Sequence, residues 1–154
     1  MSDAPAPPAL ARLFAIAYRS LIDGLHARLR DDGWDDVRPA YGFVLLATRA
    51  GPTTSTELAA LMGVSKQAAS KVVEAMEASG YVRRATGDVD GRRRPVELTA
   101  GGRALLAAVE AIYADLEDGW AEIVGRDHLE RLRADLVTVL SGPDGALPPV
   151  RPTW

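Results

Sequence analysis

The stretch from Gly63 to Gly80, GVSKQAASKVVEAMEASG, reads as one short helix presented on the outside of a domain, with the flanking segments placed to position it. Ser65 offers a hydroxyl oxygen as an N-cap. Ala69, Val72, Val73 and Met76 recur at helical spacing, and Gly80 can close the C-terminus in a left-handed conformation. Lys66, Gln67, Ser70 and Lys71 then share the outer face. Lysine can pair with phosphate or with guanine, glutamine can grip adenine through two hydrogen bonds, and serine can contact base or backbone. Such a face suits a DNA major groove. A solvated helix carries the same polar pattern, so the neighbouring segments must decide between the two.

Immediately upstream, Thr54 and Glu57 have the spacing of a capping box, followed by Leu58, Ala59 and Met62 as a buried face. Gly63 turns the chain and Val64 is positioned to pack in the corner. Two short helices joined by a tight glycine turn have helix-turn-helix spacing. Downstream, Tyr81 to Arg84 predicts a short strand and Pro95 to Thr99 a second, with Val96 and Leu98 alternating with polar residues. The loop between them, ATGDVDGRRR (85–94), makes a hairpin with Asp and Gly at its tip and Arg92, Arg93 and Arg94 on its return. Arginines on a hairpin beside a helix-turn-helix can reach a narrow minor groove, where negative potential is concentrated. The pattern Asp88-Val89-Asp90-Gly91 lacks the third acidic ligand and closing Glu of a calcium loop.

Further out, Leu10, Leu13, Phe14, Ala17, Leu21, Leu25 and Leu29 keep a 3-4 spacing that predicts a helix from about Pro8 to Arg30, long enough to suggest packing against a second chain. Asp31 to Asp36 follows as a solvated acidic loop without metal-ligand register. A helix opening at Arg38-Pro39 is expected to bury Phe43, Leu46, Ala47 and Ala50 before Gly51-Pro52 stops it. After the hairpin, Thr99 can cap a helix with Leu105, Val109, Ile112, Leu116, Trp120 and Ile123 as its stripe, ending near Gly125. Asp127 and Glu130 suggest a further capping box, and Leu129, Leu132, Leu136 and Val139 carry a last helix to Gly142-Pro143. The expected fold class is mainly α with a small β wing, and resemblance to winged-helix regulators implies a winged helix-turn-helix with N- and C-terminal dimerisation helices. Its divisions are a flexible N-terminus and first dimerisation helix (1–36), a DNA-binding lobe (37–103), C-terminal dimerisation helices (104–141) and a Pro-rich tail (142–154), either disordered or anchored by Trp154.

Composition narrows the function. The 154 residues carry a formal charge of −3, which argues against non-specific coating of nucleic acid. Yet between Gly63 and Arg103 the basic residues Lys66, Lys71, Arg83, Arg84, Arg92, Arg93, Arg94 and Arg103 outnumber the acidic Glu74, Glu77, Asp88, Asp90 and Glu97. The absence of cysteine excludes disulfides and thiolate metal sites. No metal site or cofactor is expected. The opening MSDAPAPPALARLF has neither the basic segment nor the apolar run of a signal peptide, and no later stretch reads as a membrane span, so a soluble, cytoplasmic protein is expected.

These residues resemble the MarR (multiple antibiotic resistance regulator) family of winged-helix transcription regulators. The resemblance lies in Ser55-Thr56-Glu57-Leu58-Ala59, in Val64-Ser65-Lys66-Gln67-Ala68-Ala69-Ser70-Lys71-Val72-Val73, and in Gly80-Tyr81-Val82-Arg83-Arg84. It continues in Asp90-Gly91-Arg92-Arg93-Arg94, leading to Leu98-Thr99 and Gly102. It implies a homodimer whose terminal helices interlock and whose two winged helices read the halves of a pseudo-palindromic operator. By position it places Ser65, Lys66, Gln67, Ser70 and Lys71 in the major groove or on its flanking phosphates, and has Asp90 brace a wing arginine. Which of Arg92, Arg93 and Arg94 enters the minor groove stays open, because Gly91 stands where many relatives carry another charge. Family members often release DNA when a small, commonly aromatic molecule binds between the dimer helices and the DNA-binding lobe. The candidate lining here is Tyr18, His26, Trp34, Tyr41 and Tyr113, although an aromatic on an amphipathic helix more often serves core or interface packing. Without cysteine, the family's thiol-peroxide sensing is excluded.

The function expected is a dimeric, sequence-specific DNA-binding regulator, a repressor released by a small ligand. The alternative is a winged-helix protein-interaction module without DNA binding, motivated by the acidic overall charge. An enzyme has little support, since His26 and His128 have no obvious nucleophile or metal motif beside them.

Overall fold

A computed structural model describes residues 7–85 and 94–148. Among them the order is α1 (Leu10–Asp31), α2 (Tyr41–Thr48), α3 (Ser55–Met62), α4 (Lys66–Ala78), β1 (Val82–Arg84), β2 (Val96–Leu98), α5 (Ala100–Val124) and α6 (Arg126–Leu140). β1 and β2 pair antiparallel in the register Val82↔Leu98, Arg83↔Glu97 and Arg84↔Val96. Thr53, just ahead of α3, adds an isolated antiparallel bridge to Val96, so the base of the hairpin is tied to the helix-turn-helix as well as to itself. The core is built from Val44 and Leu45 of α2, Leu58 and Met62 of α3, Val73 and Met76 of α4, Val96 of β2 and Leu105 of α5, all essentially shielded from solvent.

Local chemistry accounts for the element boundaries. Thr54 accepts from the Glu57 amide while the Glu57 side chain accepts from the Thr54 amide at 2.7 Å, completing the capping box that opens α3. α3 ends at Gly63, φ 63°, where Val64 N–H donates to the Ala59 carbonyl and Gly63 N–H to that of Ala60. α4 ends in the same way over Gly80, φ 77°, with Tyr81 N–H donating to Met76 and Gly80 N–H to Glu77. Both are Schellman closures, which need the left-handed residue that glycine adopts without steric cost.

Several expectations are corrected. α1 opens at Leu10 with Ala9 as N-cap, so Pro8 precedes the helix. α2 begins at Tyr41, not at Pro39: Arg38 and Pro39 form a turn whose carbonyls accept from the amides of Tyr41 and Gly42. The buried face of α2 is Tyr41, Val44, Leu45 and Thr48, whereas Leu46 and Ala50 are exposed and Phe43 and Ala47 only half-buried. Residues 43 to 47 are apolar all round, so periodicity could not choose the face. The capping box at Asp127 and Glu130 does not form. α6 starts at Arg126 directly after Gly125, φ 89°, with no side-chain cap, and Asp127 instead lies in its first turn. Of the stripes foretold for the last two helices, Ile123 is 82% exposed and Val139 78% exposed, while Leu129 is buried.

The acidic loop after α1 does more than meet solvent. The Tyr81 hydroxyl, just ahead of β1, donates to the Asp36 carboxylate, and Trp34 stacks obliquely on the Tyr81 ring at 5.9 Å between centroids. Hydrogen bonds from Ser79 and Tyr81 hold the Asp36 carboxyl below its ordinary range. A group depressed on folding contributes stability that is present above its unfolded value, near 3.8, and is lost as pH falls through the folded value. Replacing Asp36 with alanine is therefore expected to lower the urea midpoint at pH 7 and to flatten the loss of stability between pH 5 and about 3. Parallel titrations of the two proteins that kept the same acid limb would contradict this link.

Candidate nucleic-acid interface and ligand cavity

α4 is seated by Ala69, Val73 and Met76, all buried, and this fixes which residues face outward. Ser65, Lys66, Gln67 and Lys71 are exposed and Ser70 is half-exposed, on one face across the first two turns. The Ser65 side chain accepts from the Ala68 amide at 3.1 Å; its oxygen is committed to the cap, while its hydroxyl hydrogen stays available to a phosphate. The helix N-terminus adds its own preference for an anion. Among the described residues neither Lys66 nor Lys71 is in an ion pair, whereas Arg83 and Arg84 are both engaged. Arg83 pairs with Glu97 across the strands at 2.8 Å, and Arg84 with Glu77 at 3.1 Å. The first pair reinforces the hairpin, and the second fastens α4 to β1. The face of α4 thus keeps its positive charge, while Arg83 and Arg84 are neutralised within the framework.

Arg94 is exposed just before Pro95, whose carbonyl accepts from the Ala85 amide at 2.9 Å and closes the described base of the hairpin. Asp90, Arg92 and Arg93 lie outside the described residues.

A cavity of about 360 Å³, with no α4 residue in its lining, opens between α1, α2 and α5. Tyr18, His26 and Tyr113 line it. Trp34 and Tyr41 do not: Tyr41 is 2% exposed and packs edge-on against Tyr81 at 6.2 Å, and Trp34 lies against the same ring. An aromatic cluster in the core claims both. The apolar walls include Ile22, Leu25, Phe43, Leu46 and Val109, so the α2 stripe expected in the core partly faces this space. Burial, with Arg30 nearby, lowers the His26 pKa, leaving a neutral imidazole at pH 7. Burial, with Tyr18 nearby, raises that of Tyr113, which stays a phenol. Arg38, Arg49 and Glu110 also reach the wall and were not foreseen. The available signal was slight: Gly42, Leu45, Leu46 and Arg49 follow one another at helical spacing, a cation closing an apolar face.

A helix capped by serine behind a glycine turn, a short hairpin after it and long helices on either side define a winged helix-turn-helix protein. Residues 35–93 match the model of the MarR family. Over those residues the chain resembles that family of transcription regulators, and solved structures of its members share the winged helix-turn-helix fold. It is 25% identical to a cysteine-to-serine mutant of MarR from E. coli, over 87% of this chain and 98% of that one, with a TM-score of 0.71. It is 27% identical to the transcriptional repressor CouR bound to a 23-mer DNA duplex, over 85% and 92% of the two chains, with a TM-score of 0.69. A Mycobacterium tuberculosis MarR family protein in complex with salicylic acid shares the fold, at 24% identity over 88% and 99% and a TM-score of 0.67. None of the curated protein sequences matches the chain. Among the described residues no helix is long and apolar enough to cross a membrane.

Proposed function

We propose that the chain is a dimeric, sequence-specific DNA-binding repressor whose two α4 helices enter successive major grooves of a pseudo-palindromic operator, and that a small aromatic ligand in the cavity releases it. The observation that carries the reading is the exposed face of Lys66, Gln67, Ser70 and Lys71, with both lysines free of ion pairs among the described residues. Gln67, Ser70 and Lys71 read bases, and Ser65 and Lys66 hold phosphates. Arg92, Arg93 and Arg94 add affinity from the wing, with Asp90 as their brace. The CouR likeness supports the DNA partner and the salicylic acid complex supports a ligand.

The dimer is supported by apolar side chains that a lone chain leaves in water. Leu10, Leu13, Phe14 and Ile16 of α1 are exposed, as are Ile123 and Val124 at the end of α5 and Leu132, Val137, Val139 and Leu140 of α6. Both sets lie on the terminal helices, where a second copy can cover them.

Selection of DNA from a random pool, followed by titration of the preferred duplex, tests this. Half-sites are expected about 10 bp apart. Affinity should fall with salt at a logarithmic slope of about 0.9 per phosphate neutralised. Failure to retard any selected duplex at low salt would leave the protein-interaction module as the better account.

A further inference from the structure

The cavity wall carries one feature that the aromatic residues do not explain. Arg49, at the C-cap of α2, and Glu110, midway along α5, both line it, with Arg49 Nη2 3.0 Å from Glu110 Oε1. Among the described residues it is the only ion pair with both members on that wall. It ties the reading lobe to the long helix. Its side chains remain 62% and 47% exposed, so it sits at the mouth in reach of water, where an ion pair is weak and readily exchanged. Behind it the wall is apolar, and a guanidinium facing such a space is better satisfied by a carboxylate that brings its own hydrocarbon. The second guanidinium, Arg38, has Asp36 in its field. With His26 neutral, the wall carries the cations Arg38 and Arg49 against the single carboxylate of Glu110.

We propose that Arg49 is the residue that sets the charge preference of the cavity and that Glu110 is its built-in competitor: an acidic group on the ligand takes Arg49 from Glu110. Occupancy then exchanges a tie between α2 and α5 for a contact between α2 and the ligand. The inference rests on the cavity's being a ligand site and adds which residues choose the ligand's charge.

The full-length protein, Arg49→Gln and Glu110→Gln are titrated with 2-naphthoate and with its uncharged analogue 2-naphthamide. The unaltered protein is expected to prefer the acid. Glu110→Gln should tighten the acid about threefold, the scale of an exposed ion pair, and leave the amide unchanged. Arg49→Gln should weaken the acid about tenfold, the scale of a hydrogen bond to a charged group, and so abolish the preference. Acid affinity unmoved by Glu110→Gln, or a preference that survives Arg49→Gln, overturns the proposal while leaving the cavity a ligand site. Binding of neither probe to any of the three proteins overturns the ligand reading and the proposal together.

Discussion

Gly102→Ala is expected to remove about 3 kcal/mol of unfolding free energy, at the upper end of what overpacking usually costs. A Cβ on Gly102 would stand 1.9 Å from the Tyr81 carbonyl oxygen and 2.9 Å from its carbon, and both are backbone atoms that no rotamer can move. The same oxygen accepts from the Thr99 amide at 3.0 Å and from the Thr99 hydroxyl at 3.1 Å, and Thr99 in turn caps α5 through the Gly102 amide. Making room means pulling the first turn of α5 off β1 and losing those bonds as well. Gly101→Ala is the matched control. Its Cβ would meet the Gly80 oxygen at 3.2 Å, a contact that a small shift relieves. The gain of about 1 kcal/mol from replacing a helical glycine should bring that variant close to neutral. Urea unfolding with an unchanged slope reads both. A loss below 1 kcal/mol for Gly102→Ala would show that the junction yields.

Gln67→Ala is expected to cost 1–3 kcal/mol of operator affinity, roughly 5- to 150-fold, if the amide makes a bidentate base contact. Lys71→Ala should cost a similar amount if it reads a guanine; if it touches only phosphate, the loss is smaller and spreads evenly over sequences. The two outcomes separate on a panel of single-base operator variants. Loss of discrimination at one position marks a base contact, and a parallel drop at all positions marks a phosphate contact. Both side chains are exposed and alanine is the best helix former, so α4 keeps its shape. Operator binding that ignored both substitutions would remove α4 from the reading role.

What could be read from the sequence was whatever is decided within a few residues. The Thr54–Glu57 box, the Ser65 cap and the glycine closures at Gly63 and Gly80 are local bargains between side chain and backbone, and each stands where its spacing placed it. So do the two strands and the Thr99 cap. The face of α2 was not legible, because an all-apolar helix gives periodicity nothing to choose between. Nor was the partner of Asp36, since Tyr81 lies 45 residues further along the chain. Asp127 and Glu130 had a capping spacing, but the direct passage from α5 through Gly125 set the start of α6 before they could act. At the cavity, Tyr18, His26 and Tyr113 were within reach of pattern reading, whereas Arg38, Arg49 and Glu110 come together only when α2 and α5 pack.

The close approach at Gly102 also has a mechanical side. α5 has 25 residues, which at 1.5 Å per residue makes a rod of about 37 Å. Its near end is tied to the strands through the Thr99 bonds to the Tyr81 carbonyl, so a tilt of α5 is expected to carry β1 and β2 with it. A tilt of about 5° at one end sweeps the other through about 3 Å over that length. Whatever sets the angle at which two such rods cross therefore sets the reach between the two hairpins.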